Sequence, residues 1–365
     1  MVYPCKWEKK NKEKESFVFL KKLRKDDGMV TKIGLDLGYA NITVSDTMAG
    51  IYREQSVALI DKNTRRIISV GEDAIKRGEE LSEQALLVRP FKNGLLFDRQ
   101  ITQSIVSHVV GTIPTDERLR CVIGIPSDLI PKQEKEIFNI LSDAGIAECY
   151  AVNRSVAALI GAGGNPMQSV ISVNVGASAT EIVVFDRGEI IYTAKENIGG
   201  EDFDKAVKFY ISEQGGVNVS LSVARAIKEQ LGSVWQGKEE SSVDIEGTLS
   251  LTGNSVKMTI ASEDIVGVFE KPLHKLLMCV AVAIKKIPLD RVERVIKGGV
   301  VLTGGGAILY GIDFMMSKVL GVHVNKPADP IDSVAKGLSI INSKLPVRGK
   351  AGRKNVTDLI ASYYK

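Results

Sequence analysis

Two stretches of the chain repeat one pattern. Ile33-Gly34-Leu35-Asp36-Leu37-Gly38 runs through Asn41 into Ile42-Thr43-Val44, and Val170-Ile171-Ser172-Val173-Asn174-Val175-Gly176 runs through Thr180 into Ile182-Val183-Val184-Phe185. Each reads as an apolar strand with Asp or Asn near its end, Gly two residues later, small polar residues, and a second apolar strand. Asp36 and Asn174 are 138 residues apart. That step is too long for a solenoid period, so the repeat predicts two domains of related construction facing each other. Helical patterns at 132–144, 202–213, 221–236 and 265–286 alternate with the strands, which predicts an α/β architecture. With 365 residues, 44% hydrophobic and 25% charged, the chain is long enough for two cores, and disordered, collagen-like and small disulfide-scaffold classes are excluded.

A third glycine-rich element follows, Val300-Val301-Leu302-Thr303-Gly304-Gly305-Gly306-Ala307-Ile308-Leu309. It reads as an apolar strand, a turn and a helix-like segment. Its three glycines would let backbone approach a ligand, or would simply make a tight strand-to-helix turn. Neither G-x-x-x-x-G-K-[ST] nor G-x-G-x-x-G occurs, so P-loop and dinucleotide-fingerprint readings fall.

Charge is unevenly spread. Residues 1–30 hold nine basic and five acidic side chains and residues 344–365 six and one, which leaves 31–343 at −5 in a chain of formal charge +4. Two basic tails on an acidic body give no basic face for nucleic acid. Four dispersed cysteines without C-x-x-C spacing fit a reducing compartment, and three histidines outside metal-binding spacing (His108, His274, His323) read as structural or surface residues. No apolar run is long enough to span a bilayer, and no signal-peptide core opens the chain, which places it in the cytoplasm or peripheral to a membrane. Phe17, Leu20 and Leu23 would share one face of a short helix beside lysines, suited to membrane contact or to a solvated or self-docking extension. Val356, Leu359, Ile360, Tyr363 and Tyr364 would form a second apolar face behind an Asn355 cap, docking on the body or on a partner.

Taken in order, GLDLGYANITV, VNVGASATEIVV, ARAIKEQLG and VVLTGGGAILYGI resemble the two phosphate loops and the adenosine contacts of the actin and sugar-kinase superfamily. VRPFKNGLLFDRQIT, VIGIP, NIGGEDFDKAV and ADPIDSVAKG bring the chain closer to the bacterial actins of the MreB kind. SHVVG, VIGIP and VARAIKEQ are also similar to the MamK filaments that position magnetosomes.

The resemblance implies an actin-like two-domain fold with a nucleotide cleft between domains. Domain I would cover 31–165 plus 326–345 and domain II 166–325, with a smaller subdomain at 202–262, a basic extension at 1–30 and a linker and short helix at 346–365. It further implies ATP or ADP with Mg²⁺. Asp36 would hold Mg²⁺ through water. Gly38, Tyr39, Ala40 and Asn41, and Gly176, Ala177, Ser178 and Ala179, would lie at the phosphates. Lys228 and Glu229 would meet ribose and base, and Gly304, Gly305 and Gly306 the adenine and sugar side.

The sequence departs from the family where the chemistry lies. The second loop of the family reads D-I-G-G-G-T-T-E, whereas this chain has Asn174 for the Asp, and an amide carries no charge to attract a cation or polarise water. The water-positioning glutamate falls by ungapped count from VIGIP on Gln133, with Glu134 beside it; eukaryotic actin uses glutamine at the comparable place. Tyr39 replaces a usual Thr, and Asn153-Arg154-Ser155 replaces E-E-P or S-E-P. These changes point to slow ATP hydrolysis at most. The expected role is a head-to-tail filament scaffolding cell shape or organelle position, with membrane or membrane-protein contact open to the tails and no nucleic-acid partner. An actin-fold membrane adaptor of the FtsA or PilM kind is the alternative, and a small-molecule kinase is a weaker one, since no motif marks a substrate-side base.

Overall fold

A computed structural model describes residues 30–345 except 47–49, 93–94, 116 and 236. Both expected tail helices lie outside the described residues. The chain divides into two compact units, the first running to Gly161 and resuming at Val334, the second Ala162–Ser333.

In the first unit, β1 (Thr31–Leu37), β2 (Asn41–Asp46) and β3 (Gly50–Gln55) form an antiparallel meander. Ile33, Leu35 and Leu37 alternate into the core, the two-residue period that a strand with one apolar face requires. β4 (Ala58–Asp61), β5 (Ile67–Val70) and β6 (Ala85–Val88) make a separate small sheet in the order β5-β4-β6, with the helix Gly71–Glu80 beside it. A two-strand hairpin follows, β7 (Phe91–Lys92) with β8 (Leu95–Leu96). β9 (Leu119–Ile125) and β10 (Ile146–Asn153) then add in parallel to give the order β10-β9-β1-β2-β3. The helices Arg99–Gly111 and Pro131–Asp143 contribute Ile101, Ile105, Val109, Ile137, Ile140 and Leu141 to its core. Their starts are local: Asp98 caps the first by accepting from Ile101 N–H at 2.9 Å, and Pro131 opens the second, where its missing N–H costs no helix bond.

The second unit repeats the plan. β11 (Val170–Val175), β12 (Thr180–Asp186) and β13 (Glu189–Glu196) form the meander, buried throughout in the first two strands. β14 (Val217–Asn218), β15 (Ser242–Leu249) and β16 (Ser255–Ala261) form a small antiparallel sheet, and β17 (Val300–Thr303) and β18 (Val324–Asn325) add in parallel, giving β13-β12-β11-β17-β18. The order matches the first unit's strand for strand.

The last helix among the described residues, Ser333–Lys344, packs in the first unit. Asn342 Nδ2 donates to the carbonyls of Ile33 and Arg120 at 2.8 and 3.1 Å, Arg120 Nε returns a bond to Asn342 Oδ1 at 2.9 Å, and Ser45 Oγ donates to Ala335 O at 2.7 Å. Arg120 is 1% exposed, and its Nη2 donates to the carbonyls of Asn342 and Leu345 at 2.9 and 3.4 Å, acceptors that with Asn342 Oδ1 make burying its charge tolerable.

Three sequence expectations shift. The division falls at 161/162 and 333/334 rather than 165/166 and 325/326, because the segment before Ser333 is tied to the second unit, with Gly304 N–H donating to Pro330 O at 2.8 Å. The helix expected over 221–236 is Leu221–Leu231, since Gly232 turns out of helical conformation. The helix expected over 265–286 is broken into Ser262–Ile265, a 3₁₀ turn Gly267–Phe269 and Glu270–Lys285, which puts Pro272 in a first turn, where it displaces no backbone hydrogen bond.

Candidate functional site

The two repeated hairpins match bond for bond. Asp36 lies opposite Thr43 and Leu37 opposite Ile42; Asn174 lies opposite Glu181 and Val175 opposite Thr180. Gly38 N–H closes the first turn onto Asn41 O at 3.0 Å, and Gly176 N–H closes the second onto Ala179 O at 2.9 Å. A Cβ at Gly38 would stand 2.6 Å from Asn41 O, and one at Gly176 3.0 Å from Ala179 O, so glycine is what lets each turn close. Tyr39 and Ala40, and Ala177 and Ser178, form the tips, where successive backbone amides can face an anion.

Arg89 pins the first turn. Its Nη1 donates to the carbonyls of Tyr39, Ala40 and Ser56 at 3.1, 3.2 and 3.2 Å, and its guanidinium lies 5.2 Å from the centre of the Tyr39 ring. The Tyr that replaces the usual Thr thus serves as a cation–π platform. Sequence reasoning noted the Arg-Pro segment and gave Arg89 no part in the loop.

Asp36 pairs in register with Gly124 of β9, and Gly124 with Val152 of β10, so the end of β10 is brought to Asp36. There the chain turns directly into the helix Arg154–Gly161. Asn153 Oδ1 accepts from the N–H groups of Ser155 and Val156 at 2.9 and 3.3 Å and so caps that helix. Arg154 Nε donates to Asp36 Oδ1 at 2.8 Å and its Nη2 to Leu37 O at 3.1 Å. The two side chains are 11% and 18% exposed.

Gln133 and Glu134 lie half-buried in the first turn of Pro131–Asp143, both backbone N–H groups on Ile130 O, with no side-chain hydrogen bond or ion pair among the described residues. The side chain on Asp36 is Arg154.

In the second unit Asn174 is 5% exposed and its Oδ1 accepts from the Thr303 hydroxyl at 3.3 Å, Thr303 being its neighbour in β17. Gly304 follows with φ of +86°, and a Cβ there would overlap Val175 O and lie 2.7 Å from Asn174 Oδ1. Gly306 is packed as tightly on the Val175 side chain, whereas Gly305 is exposed with its nearest neighbour, Ile331, at 3.8 Å. The triple glycine is therefore a turn held against the end of β11, with room beside one residue only.

The second loop is also tied to the helix Gly200–Gly215, with Gly200 N–H on Gly176 O at 3.0 Å and Glu201 N–H on Ala177 O at 2.8 Å. Lys228 Nζ joins this corner, 3.2 Å from Gly200 O and 2.6 Å from Asp204 Oδ1, and Arg225 Nε takes the other Asp204 oxygen at 2.9 Å. Asp204 is fully buried. Lys228 is thus committed to a buried carboxylate, and Glu229, the next residue, is exposed. Asp204 and Arg225 were missed by sequence reasoning, although Asp204 stands in the quoted NIGGEDFDKAV.

The donor set does not fit the Mg²⁺ that the resemblance implies. Mg²⁺ seeks carboxylate and water oxygens in a near-ideal octahedron. In the first unit the charge of Asp36 is matched by Arg154, and in the second the corresponding position, Asn174, is neutral.

Over residues 30–348 the chain matches the MreB/Mbl protein family. It is 27% identical over 315 residues to the cell shape-determining protein Mbl of Bacillus cereus, covering 85% of this chain and 95% of that protein. It is also 27% identical over 327 residues to the cell shape-determining protein MreB of Escherichia coli, covering 86% and 94%. The structure resembles that of MreB5 of Spiroplasma citri bound to ADP with a TM-score of 0.81 and 21% identity, over 87% of this chain and 97% of that one. It resembles the MamK double helical filament with a TM-score of 0.72 and 18% identity, over 87% and 100%. The fold is actin-like, and the chain belongs to the MreB/Mbl family of bacterial actins.

Proposed function

We propose that this chain binds an adenine nucleotide through its two glycine-closed loops and assembles head to tail into cytoskeletal filaments that scaffold cell shape. The observation that carries the reading is the duplicated turn, with Gly38 on Asn41 and Gly176 on Ala179, which offers one anion-facing set of amides in each unit. MreB5 of the same fold is known bound to ADP and to AMPPNP, and MamK as a filament. A head-to-tail contact is heterologous and does not close, so it propagates. Cell shape is favoured over organelle placement because the curated relatives are named for it. The adaptor reading is not favoured, because the relatives that the chain matches along most of its length are cell shape-determining proteins.

Hydrolysis would be slow, because Asn174 lacks the carboxylate of the family. The basic tails would guide the filament to an anionic membrane, each Lys or Arg near such a surface adding about 1 kcal/mol of attraction. No helix among the described residues is long and apolar enough to cross a membrane.

Sedimentation and negative-stain microscopy at micromolar protein, with and without ATP, test assembly. Filaments are expected; only monomers or closed dimers in both conditions would overturn it. Flotation with anionic liposomes, comparing the full chain with a truncated protein beginning at Met29, tests the N-terminal tail, and equal binding would remove its membrane role.

A further inference from the structure

The pair Asp36–Arg154 decides what kind of cation this loop needs. Its geometry is that of a charge-assisted hydrogen bond, 2.8 Å between Nε and Oδ1, with both side chains largely withdrawn from water. It is not a loose surface pair. A second bond from Nη2 to Leu37 O at 3.1 Å fixes the guanidinium at the residue that immediately precedes the Gly38 turn. Arg154 is moreover the first residue of a helix capped by Asn153, so the positive end of that helix adds to its charge. In the other unit the matching register position carries Asn174, an amide.

A carboxylate facing a triphosphate repels it, and a divalent cation is the ordinary remedy. Here that carboxylate is neutralised from within the protein. Guanidinium is always charged at physiological pH and presents a planar fork suited to phosphate oxygens. We infer that Arg154 is a built-in counter-ion to Asp36 that takes the place of the divalent metal, so that this chain binds nucleoside di- and triphosphates independently of Mg²⁺. The inference rests on the nucleotide reading above and deepens it: the ligand is the metal-free nucleotide.

The test is nucleotide affinity of the full chain for ATP and ADP by calorimetry, in Mg²⁺ and in EDTA. Wild type is expected to bind equally in both, within about threefold. Arg154→Gln is expected to lose about tenfold or more in EDTA and to regain it in Mg²⁺, because Asp36 is then free to recruit the ion. Arg154→Lys should restore binding in EDTA, a rescue that a purely packing role for Arg154 would not give. Wild-type binding that collapses in EDTA would overturn the inference and leave the nucleotide reading standing, and this measurement needs no variant to fold. An Arg154→Gln protein still indifferent to Mg²⁺ would remove the assignment to Arg154. Absence of binding in either condition would sink the nucleotide reading itself, and the inference with it.

Discussion

Asp36 and Asn174 hold the same register position in two hairpins of the same construction, each next to the last residue of its first strand. The first carries a carboxylate and the second an amide. The Thr303 hydroxyl that donates to Asn174 Oδ1 can donate equally to an aspartate, so Asn174→Asp is compatible with the fold. The variant is expected to release phosphate from ATP about tenfold faster or more, with a much smaller change in nucleotide affinity, since general-base assistance acts on the rate. Filament lifetime in ATP should shorten. Equal rates in a phosphate-release assay would show that position 174 does not orient the water.

The three glycines of the 304–306 turn should behave differently. Gly304→Ala meets a positive φ together with Val175 O and Asn174 Oδ1, and Gly306→Ala meets the Val175 side chain, so each should cost about 2 kcal/mol or more. Gly305→Ala, exposed and unobstructed, should stay within about 0.5 kcal/mol of wild type. Urea unfolding of the three variants gives the ranking, and equal losses would refute the packing described for this turn.

Asp204 is buried between Arg225 and Lys228, and removing it leaves two cations facing each other without their carboxylate. Asp204→Ala should cost about 3 kcal/mol, and Lys228→Ala about 1 kcal/mol because Arg225 still holds Asp204. If Lys228→Ala left stability unchanged but abolished nucleotide binding, Lys228 would be a ligand contact rather than a strut.

Glu54, 4% exposed, supplies the acid sensitivity of the first unit. Burial alone would push its carboxyl up, but hydrogen bonds from His108, from the Tyr52 hydroxyl at 2.7 Å and from the backbone of Gln55 and Glu72 hold it at about 2, against an ordinary 4.5. The stabilisation is therefore full above pH 4.5 and lost as pH falls towards 2. Glu54→Gln should lower stability near neutrality by about 2 kcal/mol. The gap from wild type should close on acidification, and a pH-independent gap in thermal melts would contradict the assignment.

The hairpins were legible in the chain because both causes are local. Alternating Ile33, Leu35 and Leu37 sets a strand, and glycine at 38 and 176 is the residue that lets the turn close on the carbonyl three positions later. The same locality made the helix starting at Pro131 and the three-glycine turn readable, and the recurrence of the pattern after 138 residues announced two units of one plan. Helix interruption at 266–269 and the stop at Leu231 were less visible, since apolar periodicity continues across both and only Pro272 and Gly232 oppose it. The identity of the charge beside Asp36 was decided by tertiary structure alone. Arg154 is 118 residues away and reaches Asp36 because β10 pairs with β9 and β9 with β1, all in parallel. Likewise Arg89 finds the Tyr39 turn, and Asp204 finds Lys228, through chain segments that periodicity does not align. Hydrophobic spacing encodes which face of an element is buried; which side chains meet at its end depends on the order in which the strands assemble.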